Sequence, residues 1–69
     1  MSFKRQKVLL ALLREGMVIL REGGAHTIVG RAGGVRTSLP RHAQLDRHTV
    51  RAIVGQLGLH WKTFQKEIR

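Results

Sequence analysis

Apolar positions along this chain change their period twice. From Ser2 to Glu15 they recur at helical spacing: Leu9, Leu12 and Leu13, with Phe3 further up the chain, form one stripe, and Lys4, Arg5, Lys7 and Arg14 stand off it. The spacing predicts a helix over 2–15, with Ser2 as N-cap and Gly16 as the left-handed residue that closes it. Three cations in the expected first turn oppose the helix dipole, an arrangement a solvated turn tolerates and a bound anion would relieve.

After Gly16 the pattern becomes short and β-rich. Met17-Val18-Ile19-Leu20 reads as a strand, Glu22-Gly23-Gly24 as a turn and Ala25 to Gly30 as a second strand. Arg31-Ala32-Gly33-Gly34 is a second turn signal, and Val35 to Leu39 alternates until Pro40, which cannot extend a central ladder. Helical spacing then returns. Asp46 offers an N-cap, and Val50, Ile53, Val54 and Leu57 follow at i, i+3, i+4 and i+7, with Arg47 and Arg51 off the stripe and Gly58 as the stop. Trp61, Phe64 and Ile68 repeat the spacing in a terminal helix, where core packing is a better account of the aromatics than base stacking. The expectation is an α+β fold: α-β-β-β-α with a helical tail, a three-stranded antiparallel meander with the helices packed on one face. No repeat or linker interrupts it, so 1–69 reads as a single domain.

Composition narrows what such a domain does. Thirteen Lys and Arg face four Asp and Glu, for a formal charge of +9. A surface of that sign attracts polyanions, and neutralising phosphates supplies sequence-independent affinity. Nine of the cations are arginines (Arg5, Arg14, Arg21, Arg31, Arg36, Arg41, Arg47, Arg51 and Arg69), whose planar forks suit phosphate. An acidic protein partner or an Arg-rich coding bias accounts for the same excess. The chain has no cysteine, which removes disulfides and thiolate zinc sites. Its longest apolar run, Val8 to Leu13, is too short to span a membrane, and the basic Ser2–Lys7 stretch lacks the cleavage pattern of a signal peptide, so a soluble cytoplasmic protein is the default expectation.

Most enzyme chemistry finds no foothold. His42 and His48 are six apart across a loop and His60 lies on another element, so no zinc spacing is present. The carboxylates Glu15, Glu22, Asp46 and Glu67 are scattered, and neither Gly-Gly pair sits between a strand and a helix as a phosphate-binding loop requires. Histidine together with arginine remains. Cleavage of RNA by its own 2′-hydroxyl needs no metal and no protein nucleophile, only a group that moves a proton near neutral pH and cations that stabilise charge on phosphate. His26, just beyond Gly24, is the candidate. Strand alternation does not place it, because His26 shares a face with Ile28 while Ala25, Thr27 and Val29 make the other, and both faces are apolar enough to be core.

Several stretches, in order, resemble the HicA family of bacterial mRNA interferase toxins. Leu12-Leu13-Arg14-Glu15-Gly16 is similar to the family's first helix and closing glycine. Arg21 through Gly24-Ala25-His26 resembles its Arg-x-x-Gly-Ser-His signature, Leu39-Pro40-Arg41-His42 its Val-Pro-Arg-His, and Thr49-Val50-Arg51-Ala52-Ile53 through Leu57-Gly58-Leu59 its Gly-Thr-Leu-Arg-x-Ile helix ending in Gly-Leu. The likeness covers nearly the whole chain. Ala25 replaces the usual Ser, and His48 the common Gly. The resemblance implies a double-stranded-RNA-binding-domain-like fold, a metal-independent endoribonuclease without cofactor that cuts mRNA, His26 as the catalytic acid or base, and a HicB-type antitoxin that covers the site.

Joined to the charge reading, this gives an expected site. His26 moves the proton, Gly24 allows close approach, Arg21, Arg36 and Arg41 stand nearest the cleaved backbone, and Arg47 and Arg51 contact phosphates from the second helix. Solvated surface arginines are the plain alternative for each cation. Two other functions compete: a non-catalytic RNA-binding module of the same fold, and a protein-interaction subunit whose charge serves an acidic partner.

Overall fold

A computed structural model describes residues 1–69 as eight elements: β1 (Ser2–Lys4), α1 (Arg5–Arg14), β2 (Val18–Glu22), β3 (His26–Gly30), β4 (Arg36–Pro40), β5 (Gln44–Asp46), α2 (Arg47–Gln56) and α3 (Trp61–Ile68). Strands β2, β3 and β4 form an antiparallel sheet in that order, and the helices pack against it, giving the expected α+β layout. No helix is long and apolar enough to cross a membrane.

The central strand shows how the layers arise. Thr27 and Val29 are fully buried while His26 is exposed, so one parity of β3 lies under the helices and the other faces out. Leu39, the register partner of Thr27 on β4, is buried on the same side. These residues join Val8, Ala11 and Leu12 of α1, Val50, Ile53 and Val54 of α2, and Phe64 and Ile68 of α3 in one core. Each fully buried Val, Leu, Ile or Phe contributes about 1.5–3 kcal/mol, and so this shared face dominates the stability.

Both glycine stops are present. Gly16 (φ 91°) and Gly58 (φ 74°) adopt the left-handed conformation. Behind each, the last turn closes in the same way: Gly16 N–H donates to the Leu13 carbonyl and Met17 N–H to Leu12, as Gly58 N–H does to Gly55 and Leu59 N–H to Val54. Met17 is buried and Leu59 packs on the core, which ties each helix end to the interior. Asp46 caps α2 as expected, its Oδ2 accepting from His48 N–H at 2.9 Å.

The first segment departs from expectation. The helix begins at Arg5, and Ser2–Lys4 is a strand paired antiparallel with β5, Phe3 opposite Leu45. Ser2 is therefore no N-cap; its hydroxyl donates to Gln44 Oε1 at 3.2 Å. The cause is non-local. Backbone bonds from Arg5 N–H to the Ala43 carbonyl and from Arg47 N–H to the Met1 carbonyl frame the ribbon, and Phe3 and Leu45 are both buried. Phe3 also meets Trp61 edge to face, with centroids 6.2 Å apart. The buried stripe of α1 is Val8, Ala11 and Leu12, leaving Leu13 38 % exposed rather than in the core.

Two predictions follow from particular contacts. A Cβ on Gly30 would lie 2.1 Å from the Val35 carbonyl oxygen and 2.7 Å from Arg36 Cα, both backbone atoms of the adjoining turn and strand. Gly30→Ala should lower the urea-unfolding free energy by about 1–3 kcal/mol or more, whereas Gly55→Ala, in a helix with nothing near its Cβ, should raise it by up to about 1 kcal/mol.

The second concerns two acids. Glu15, just past α1, shares a hydrogen bond with the Glu67 carboxyl of α3, which holds its pKa above the ordinary 4.5; partial desolvation and the Glu67 charge add to this, and Arg31 opposes it. Because the folded value is raised, the proton is bound more tightly in the folded state. The stability this adds is complete below about pH 4.5 and is lost as pH rises through the raised value. Glu15→Gln should flatten that part of the thermal stability profile between pH 4 and neutrality.

Candidate functional site

His26 opens β3 on the uncovered side of the sheet. The preceding residues Gly23, Gly24 and Ala25 form the loop of the β2–β3 hairpin, closed by a 2.9 Å bond from Gly23 N–H to the His26 carbonyl. Arg21, Gly23, Gly24, Ala25, His26 and Ile28 line a shallow, open depression of about 200 Å³. The His26 imidazole enters none of the side-chain hydrogen bonds of the chain. The side chain is exposed.

Arg21 reaches this depression because of an irregularity in β2. Ile19 pairs with Val29 and Arg21 with Ile28, so Leu20 is an extra residue in the ladder. In a regular strand Ile19 and Arg21 would share a face. The bulge turns them apart, Ile19 to the helical side and Arg21 to the side of His26. Alternation in the sequence gives no sign of it.

The glycines differ in what the chain requires of them. A Cβ on Gly23 would stand 3.0 Å from the His26 carbonyl oxygen, so the hairpin itself favours glycine there. A Cβ on Gly24 would meet nothing within 4 Å, and its φ is not in the left-handed region. The fold makes no demand for glycine at 24, although that residue lines the depression.

Of the cations singled out in the sequence, only Arg21 lines the depression. Arg41 sits behind the loop, where Nε donates to the Gly23 carbonyl at 2.9 Å and the guanidinium pairs with Glu22. Arg36 is exposed on the same face as His26, opposite Gly30 at the far end of β3. Four residues of strand separate the two positions, about 13 Å. Arg47 and Arg51 are exposed on α2, in the helical layer, and do not line the depression. His42, His48 and His60 do not line the depression, and no group of three or more His, Asp or Glu side chains converges.

Sequence reasoning missed Arg5, Glu22 and Thr27. Arg5 donates from Nε to the Pro40 carbonyl at 2.9 Å and from its terminal nitrogen to Thr27 Oγ1 at 2.6 Å, and the Thr27 hydroxyl donates onward to Glu22 Oε1 at 2.6 Å. Glu22 also accepts from Arg41. A polar residue on the buried parity of β3, with one of only four acids five residues before it, was the available signal.

No protein-family model matches this chain, and no curated protein matches it either.

Proposed function

We propose that this protein is a metal-independent endoribonuclease of the HicA type, the toxin of a type II toxin–antitoxin pair, which blocks translation by cutting mRNA in the cytoplasm. The observation that carries the reading is the exposed, unpartnered His26 beside Arg21 on a glycine-walled depression. The resemblance in motif order supplies the family, and the +9 charge fits a polyanionic substrate.

The chemistry needs only groups the site offers. His26 accepts the proton of a ribose 2′-hydroxyl, and the 2′-oxygen attacks the adjacent phosphorus as the P–O5′ bond breaks. The leaving 5′-oxygen takes a proton from solvent water and the protonated His26 returns its own to solvent, so the products are a 2′,3′-cyclic phosphate and a 5′-hydroxyl end, with no net proton or electron left over. Arg21 is placed to stabilise the charge that gathers on the phosphoryl oxygens. Gly24 lets the RNA backbone lie against the loop. A HicB-type antitoxin that is acidic over its contact face would meet the same surface and exclude substrate.

Incubation with unstructured RNA in EDTA tests the assignment. The unmutated protein should produce 2′,3′-cyclic phosphate ends, and His26→Ala should abolish them, at least about 100-fold, while RNA affinity stays within a few-fold. Gly24→Ala should leave the unfolding midpoint unchanged, since its Cβ meets no protein atom, yet slow cleavage by crowding the backbone. RNA binding without cleavage by the unmutated protein would replace the nuclease with a non-catalytic RNA-binding module. Neither binding nor cleavage would leave a protein-interaction subunit.

A further inference from the structure

We propose that Arg41 is a positioning residue that fixes the loop carrying His26, and that it does not contact RNA phosphate; the inference rests on the nuclease reading above. One residue holds the loop on both sides of Gly24. The Arg41 backbone N–H donates to the Ala25 carbonyl at 3.2 Å, and Nε donates to the Gly23 carbonyl at 2.9 Å. One of its two terminal nitrogens donates to the carboxylate of Glu22, the last residue of β2 before the loop.

These bonds belong to a closed ring. Arg5 binds the Pro40 carbonyl and the Thr27 hydroxyl, Thr27 binds Glu22, Glu22 binds Arg41, and Arg41 follows Pro40 in the chain. Pro40 is the register partner of His26. The ring therefore fixes where the loop leaves β2 and where His26 enters β3. Thr27 is fully buried, which keeps its two bonds away from competing water. The guanidinium charge of Arg41 is paired with Glu22 and its Nε is directed at the Gly23 carbonyl, so two of its three nitrogens are engaged by the protein. Arg21, on the depression itself, has no such partner.

Three variants separate a clamp from a phosphate contact. Arg41→Lys keeps the charge, but a single ammonium cannot reproduce the fork that spans Gly23 and Glu22. Glu22→Ala removes the carboxylate and raises the net charge, which on charge alone would strengthen RNA binding and spare cleavage. Arg41→Ala removes both fork and charge, and if it fails to fold the other two carry the test. For Arg41→Lys and Glu22→Ala, kcat should fall about 10- to 100-fold, the scale of a small misplacement of a reacting group, with RNA Kd no weaker than about twofold. The salt slope of binding should not decrease.

Amide hydrogen exchange at Gly23 and at position 41, whose N–H groups donate to the His26 and Ala25 carbonyls, should accelerate about five- to tenfold, as the weakening of an ordinary hydrogen bond implies. Exchange is measured without substrate. If the unmutated protein does not cut RNA, the nuclease reading fails while exchange still decides whether Arg41 orders the loop. Unchanged exchange in Arg41→Lys and Glu22→Ala overturns the proposal. So does an Arg41→Ala protein that keeps its kcat but loses RNA affinity, with the salt slope reduced by about 1.

Discussion

Everything else in this protein depends on β3 having one buried face and one open face. Thr27 and Val29 are sealed beneath the helices, and alternation then obliges His26 and Ile28 to point the other way. A core this small has no second layer to place over the outer face, so the side of the sheet that stability does not need is free to act as a surface. The position of His26 is thus a by-product of where the apolar side chains must go. A one-residue slip in β3 would bury the imidazole and expose Val29, which makes the register of the sheet and the existence of the site one constraint.

Two devices adapt that surface. The extra residue Leu20 reverses the facing of β2 part way along, so Ile19 remains on the helical side while Arg21 joins His26. The ring through Arg5, Thr27, Glu22 and Arg41 then holds the hairpin loop from behind. A loop rich in glycine is entropically costly to order, and without such anchors it would wander. Burial of Thr27 looks at first like a polar residue misplaced in the core. It is the point through which α1 and the loop are joined.

Local signals in the chain were legible and non-local ones were not. Gly16, Gly58 and Asp46 each act within one helical turn, and all three could be read from spacing. The glycine-rich turns likewise mark the meander. The pairing of Phe3 with Leu45 spans most of the chain, and its alternating fragment is too short to outvote the helical stripe beside it. The candidate site divides in the same way. His26 and Gly24 stood out by residue type and order, but Arg41 was counted as a free cation because its partner Glu22 is 19 residues away. The bulge that brings in Arg21 leaves no trace in alternation, and only pairing with β3 reveals it.

The placement of the acids completes the electrostatic picture. Asp46 is used as a helix cap, Glu22 accepts from Thr27 and Arg41 on the helical side of the sheet, and Glu15 and Glu67 face each other where α1 and α3 end. None of the four lines the depression around His26, where Arg21 is the only formal charge. A phosphate of the proposed RNA substrate would therefore meet Arg21 with no carboxylate lining the depression, in a protein of net charge +9. Glu15 and Glu67 lie together, with Arg14 paired to Glu67 and Arg31 acting on Glu15 to offset their repulsion. With Glu67 paired to Arg14, Glu22 to Arg41 and Asp46 used in a helix cap, no carboxylate lines the depression on the face the fold leaves open.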